Sequence, residues 1–280
     1  MTALAPMQTA RAPMQRSRGE AAVSLRTHGA RTVLAGLRQQ GNAKAILPHA
    51  GTVPEVVFLN TSGGLTGGDR LSYRLDLGAG CRAVAMTQTA ERAYRAGDGQ
   101  AQVDIALTVG AGGWLDWLPQ ETILFDRSAL SRRTRISLAP GAGCLMLESV
   151  VLGRSAMGET LEDLTFRDRR EVWRDGTPAL VEAVVLDRAA LTGGRAVLDG
   201  SRAFATIALV SQDATDALAP LRAVLDEPGV EAAASAFDGK LVCRMRAGDG
   251  WPMRRQIVRA LAVLRRAKAP RVWQTLERLA

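Results

Sequence analysis

The chain has 280 residues, 47% of them hydrophobic, enough to bury roughly three quarters of what the unfolded form exposes, so a large single domain without staples is expected. Its 36 Lys and Arg against 28 Asp and Glu give a net charge of +8 and a pI near 10.3, but bases and acids are interleaved and only 4% of residues are aromatic, which argues against a nucleic-acid surface and fits an acidic protein partner equally well. Three dispersed cysteines, Cys81, Cys144 and Cys243, form no CxxC pair for structural zinc or redox work, and the sparse count fits a reducing cytoplasm.

In chain order, residues 1–20 read as a flexible basic arm: they contain Pro6 and Pro13 and lack the apolar run of a signal peptide. Residues 21–280 read as one domain, with no stretch long and apolar enough to span a bilayer. Residues 59–73, "LNTSGGLTGGDRLSY", hold two glycine doublets with an aspartate behind the second. Gly63 and Gly68 have phosphate-loop spacing, but Asp69 and Arg70 follow where Lys and Ser or Thr belong, and a strand follows where a dinucleotide fold needs a helix. The glycines therefore predict a compact double turn that Asp69 caps.

The triplet GlyAlaGly recurs at 78–80, 110–112 and 141–143, at spacings of 32 and 31 residues. Alternating apolar runs flank each triplet: "RLSYRLDL" and "CRAVAMTQ", "AQVDIALTV" and "GWLDWLPQ", "RTRISLA" and "CLMLESVV". Period-two alternation marks strands with one buried face, and a glycine break between two such runs predicts a hairpin. From 160 to 210 strands continue as "RREVWRD", "ALVEAVVL" and "SRAFATIALV". Helical spacing appears only over 216–225 and 252–268, the latter with Met253, Ile257, Val258, Leu261 and Leu264 on one stripe. The expected fold is mainly β (α+β): layered antiparallel β-hairpins in a β-helix-like stack, with two C-terminal helices packed on one side. Arg254, Arg255, Arg259, Arg265 and Arg266 lie opposite the second helix's stripe, as a solvated face or part of a docking surface.

Several carboxylates sit where they are costly unless paired, wetted or bound to a cation. Glu148 ends "CLMLE", Glu159 follows the turn in "GRSAMGE", and Glu182 interrupts "ALVEAVVL". With Asp69 they would suit a polar passage lined by oxygen ligands for a divalent ion. His28 and His49 make no HxH or HExxH pair, no GxSxG elbow exists, and few bases are present for a triad, so catalysis is not expected.

Four co-linear motifs, "GGLTGGDRLSYRLDLGAGCRAVAMTQTAERAYRA", "WLPQETILF", "LGRSAMGE" and "PRVW", make the chain resemble the urease accessory protein UreD (UreH) family from about residue 24 to 273. The resemblance implies a non-enzymatic scaffold that works in the cytoplasm with UreF and the GTPase UreG on the urease apoprotein, helps insert nickel, and has no nucleic acid or membrane as partner. It also implies a layered β fold with two helices, no tightly bound cofactor, an accessory complex that can dimerise, and a transient nickel route over Asp69, Glu148 and Glu182. Glu91, which stands where relatives often have a small residue, and Glu159 are weaker candidates for that route. Two rival readings of the same residues are a metal-dependent hydrolase and a basic nucleic-acid-binding module.

Overall fold

The structure is a computed structural model that describes residues 15–48, 53–154, 157–265 and 269–276. Its strands in chain order are β1 (Arg18–His28), β2 (Arg31–Gly41), β3 (Ala43–Ile46), β4 (Glu55–Asn60), β5 (Arg70–Leu77), β6 (Arg82–Thr87), β7 (Glu91–Ala93), β8 (Ala101–Val109) and β9 (Trp114–Trp117). There follow β10 (Thr122–Leu124), β11 (Ala129–Leu138), β12 (Gly143–Leu152), β13 (Thr165–Arg174), β14 (Thr177–Leu186), helix α1 (Arg188–Thr192) and β15 (Ala203–Val210). The C-terminal part adds α2 (Leu218–Arg222), β16 (Val230–Phe237), β17 (Lys240–Ala247), α3 (Gly250–Arg265) and a 3-10 turn, Arg271–Leu276.

The fold is mainly β and solenoid-like, as expected. Among the described residues one sheet runs β14-β13-β11-β8-β5-β1-β2 and a second runs β16-β17-β15-β12-β9-β6-β4-β3, with β7 and β10 as a short side ladder. The chain alternates between the sheets, so β5, β8, β11 and β13 pair in parallel in the first sheet while β6, β9 and β12 pair in parallel in the second.

The strands around each GlyAlaGly therefore do not pair with each other, and the antiparallel hairpins expected there are arches instead. Alternation specifies that each strand has one buried face but not which neighbour it bonds. In an arch the two buried faces meet across the sandwich, and the near-constant repeat lets each strand bond its counterpart in the next coil. True antiparallel hairpins lie outside the repeats, at β1–β2, β13–β14 and β16–β17. The arch corners stack on one another: Gly110 N–H donates to Leu77 O at 2.8 Å, Gly80 N–H to Ala111 O at 2.8 Å, and Gly112 N–H to Pro140 O at 3.0 Å. A Cβ at Gly110 would lie 2.6 Å from Ala79 N, so side-chain-free corners are what allow the coils to close up.

Two apolar cores divide the molecule into three layers. Leu75, Leu107, Ile136, Met146 and Phe166 lie between the sheets, with Phe58 and Tyr73 rings 4.7 Å apart. On the other side of the second sheet, Leu145, Leu147, Ile207 and Met245 meet Leu221, Met253, Ile257, Leu261 and Trp273. The two expected helices are present on that side. The first is a 3-10 turn over Ala214–Ala217 followed by only five α residues, where Pro220 has no N–H to continue the ladder. The second begins two residues before Pro252, and residues 266–268 lie outside the described residues. Its arginines are not a bare solvated face: Arg254 bonds Gln120 at 2.7 Å, Arg255 bonds Glu227 at 2.7 Å, and Arg265 bonds Asp116 at 2.7 Å, clamping the helix to its own chain. Of the basic arm read over 1–20, residues 1–14 lie outside the described residues.

Candidate functional site

On β12, Glu148 is in phase with Met146 and Val150, so its side chain enters the core between the sheets, where it is 1% exposed. Its Oε1 accepts from Trp117 Nε1 at 3.0 Å and from Thr134 Oγ1 at 3.3 Å. Its Oε2 lies 2.9 Å from Arg132 Nη1 but off hydrogen-bond geometry, leaving that buried oxygen without a donor. Arg132, on β11, forks onto Asp168 of β13 through Nε at 2.9 Å and Nη2 at 2.6 Å, and its Nη1 donates to Thr122 Oγ1 at 2.9 Å.

The chain of charges continues across the sheet. Arg170 Nε donates to Asp168 Oδ2 at 2.7 Å and its Nη1 to Glu182 Oε2 at 3.0 Å, while Arg244 Nε on β17 donates to Glu182 Oε1 at 2.8 Å. Glu148, Asp168 and Glu182 thus form one relay through Arg132 and Arg170, from the centre of the core to the exposed Arg244. Burial disfavours the charge on both Asp168 and Arg132, but each wins from its partners: Arg132 and Arg170 hold the Asp168 carboxyl below its ordinary value, and Asp168 and Glu148 hold Arg132 protonated. Such a network adds little net stability while whole, and removing one member is expensive.

Glu91, on β7, borders a cavity of about 50 Å³ under the glycine turn, shared with Tyr73, Thr87 and Asn60. Its carboxylate accepts from Asn60 Nδ2 at 3.2 Å on both oxygens and from Arg92 N–H at 3.1 Å. Burial pushes it up to about 7, against the Asn60 and Arg92 hydrogen bonds and the positive charges of Arg92 and Arg132. Burial, reinforced by the Glu91 charge, also raises the Tyr73 hydroxyl far above its ordinary value.

Asp69 and Glu159 stand apart from the relay. Asp69 is 4% exposed, and its two oxygens accept from Ser17 N–H at 2.7 Å and Thr66 N–H at 2.8 Å. It therefore closes the turn in which Gly63, Gly64 and Gly68 all have positive φ, and ties that turn to the entry of β1. Glu159 accepts from Asp126 N–H at 3.1 Å, Arg154 N–H at 2.9 Å and Arg154 Nε at 2.9 Å near the surface. Burial opposes its ionisation, yet these donors hold it below the usual carboxylate value. Among the described residues no group of three or more His, Cys, Asp and Glu is arranged to hold a metal ion. His28 is exposed and His49 lies outside the described residues.

Residues 17–274 match the family described as UreD urease accessory protein. The chain belongs to the UreD family. It is 66% identical over 277 residues to the urease accessory protein UreD of Cereibacter sphaeroides, covering 98% of this chain and 100% of that one. The UreD of Paracoccus denitrificans is 55% identical over 275 residues, 96% and 97% of the two chains. That of a Chelativorans species is 44% identical over 270 residues, 94% and 95%.

In this UreD chain the acids singled out from sequence are thus distributed over four places. Glu148 and Glu182 share the relay, Glu91 lies close enough to feel Arg132, and Asp69 and Glu159 each serve a loop. Arg132, Asp168 and Arg170 escaped the sequence reading. A signal existed: Arg132 is in phase with Leu130 and Ile136, and Asp168 and Arg170 with Phe166 and Val172, so all three occupy the buried side of an alternating strand.

Proposed function

We propose that this urease accessory protein is a non-enzymatic, cytoplasmic scaffold and nickel-transfer chaperone, acting with UreF and UreG on the urease apoprotein. Family membership supports the accessory role, and the relay from Glu148 to Glu182 supports the nickel role. The observation that carries the latter is the row of three carboxylates, Glu148, Asp168 and Glu182, bridged in turn by Arg132 and Arg170, with one buried Glu148 oxygen lacking a hydrogen-bond donor.

Nickel is cargo here, held by oxygen donors that grip weakly enough to release it, unlike a Cys or His cage. Arg132 and Arg170 neutralise the relay while no cation is in transit, and a divalent ion would take over their contacts to Glu148, Asp168 and Glu182 in turn. Glu91, beside the small cavity, extends the same acid-lined region toward the glycine turn. Asp69 then contributes by holding that turn in shape, and Glu159 by fixing the loop after β12.

The test is nickel content of urease matured with variants of this chain. Glu182→Gln keeps the volume and removes a charge that is only partly buried, so co-purification with urease and UreF should persist while nickel per active site falls. Full occupancy with the Glu148→Gln/Glu182→Gln double variant would show that the relay is purely structural, and failure of the wild-type chain to co-purify with either would remove the scaffold role.

A further inference from the structure

We propose that the outer face of the first sheet, over β11, β13 and β14, is a docking surface for an acidic protein partner. The proposal rests on the reading that the chain works inside a protein assembly, and goes beyond it by assigning the surface.

Strand register decides which side chains share that face. Arg133 and Arg169 are directly opposed, as are Ser131 and Arg167, and Arg135 and Glu171. Continuing inward, Arg135 aligns with Ala106 on β8 and then with Arg74 on β5. The face over β11 and β13 therefore carries Arg133, Arg135, Arg167 and Arg169 against the single acid Glu171, and every base on it is arginine. Glu171 is already committed, to Arg133 at 3.1 Å and to Arg169. Arg167 and Arg135 have no carboxylate partner among the described residues, and Arg135 instead lies 4.7 Å over the Trp173 ring. Arg167 lies four residues along β13 from Glu171, the residue opposite Arg135, so at about 3.3 Å per residue and about 4.8 Å between strands the two are roughly 14 Å apart, within one patch of a facing surface.

An apolar strip borders the arginines. β14 is the edge of its sheet, and Val181 and Val185, aligned with Glu171 and Arg167, are 48% and 56% exposed. Unpaired guanidinium groups beside exposed aliphatic side chains match protein interfaces, where arginine is enriched and gives paired hydrogen bonds to carboxylates. Among the described residues the face over these strands holds one half-buried aromatic, Trp173, which is already covered by Arg135, so it lacks the stacking platforms that single-stranded nucleic acid needs. Farther along the same face, Asp104 on β8 and Asp76 on β5 are interspersed with Arg70 and Arg74, so the arginine excess is greatest over β11 and β13.

The experiment measures association of the full-length chain with immobilised urease apoprotein over a range of salt. Arg135→Glu/Arg167→Glu leaves no acid orphaned and should fold; it is expected to slow association roughly tenfold and flatten the salt dependence. Arg31→Glu/Arg82→Glu changes net charge equally, on the far edge strand β2 and on β6 of the second sheet, and should leave both near wild type. Equal loss in the two variants, or unchanged association of the first, would overturn the proposal while leaving the scaffold reading intact. Tighter, salt-steep binding of a short DNA duplex that the first variant abolishes would overturn it in favour of nucleic acid. No association of the wild-type chain would overturn both. Should the glutamate variant fail to fold, Arg135→Gln/Arg167→Gln reads the same loss at smaller size.

Discussion

Replacing Glu91 by Gln should make the protein more stable at alkaline pH and leave it nearly unchanged under mildly acidic conditions. The folded carboxyl is displaced from 4.5 to about 7, so between those values the native state holds a proton that the unfolded chain has released. The stabilisation from that proton is complete below about 4.5 and is lost as pH rises through 7. At about 1.4 kcal/mol for each tenfold, the burial of the ionised form costs about 3 kcal/mol by pH 8.5. The amide keeps an acceptor for Asn60 and carries no charge, so that cost disappears in Glu91→Gln. A chain of this size should melt roughly 5–10 °C higher than wild type at pH 8.5 and within a few degrees of it at pH 5. Urea or thermal unfolding at both pH values, followed by circular dichroism, reads the difference directly, and all other titrating groups cancel in the comparison. A difference that is the same at both pH values would refute the reasoning, because it would show that Glu91 is not protonated in the native state near neutrality.

Arg132→Met should destabilise the fold by about 3–5 kcal/mol in urea titration, since Glu148 and Asp168 lose their common cation inside the core; adding Asp168→Leu should recover part of it. Asp69→Ala removes the acceptors of two partly buried amides, at about 1 kcal/mol each, and hydrogen exchange should accelerate at Ser17 and Thr66 before it does so in β8. Gly110→Ala places a methyl 2.6 Å from Ala79 N and Gly78 C, so the corners must separate; a loss of several degrees in Tm is expected, whereas Ala at Gly97, which has open space around its Cβ, should be tolerated.

How much was legible follows from what periodicity encodes. The runs around GlyAlaGly revealed strands and their buried faces, and the Met253 to Leu264 stripe revealed a helix, because burial on one side leaves a period in the sequence. Which strand bonds which leaves none, so arches read as hairpins. The site divides the same way. Glu148 and Glu182 stood out as charges within apolar runs, whereas Arg132, Asp168 and Arg170 were masked by the arginines on the outer faces of "SRRTRISLA" and "FRDRREVW". Asp69 could be read as a turn cap from its neighbours, but its bond to Ser17, 52 residues away, has no sequence signature.

The relay links coils that an ordinary solenoid would leave independent. Stacked repeats usually unravel from an end, because each touches only its neighbours. Here, peeling off the β13–β14 hairpin would carry away Asp168 and Arg170 and strand Arg132 beside Glu148 in a core opened to water on one side only. That partly unwound form is penalised because Arg132 loses its two-pronged contact to Asp168 and keeps only Glu148 as a charged partner inside the core. The terminal coil therefore cannot fray by itself, and the first sheet from β11 to β14 should open as one cooperative unit.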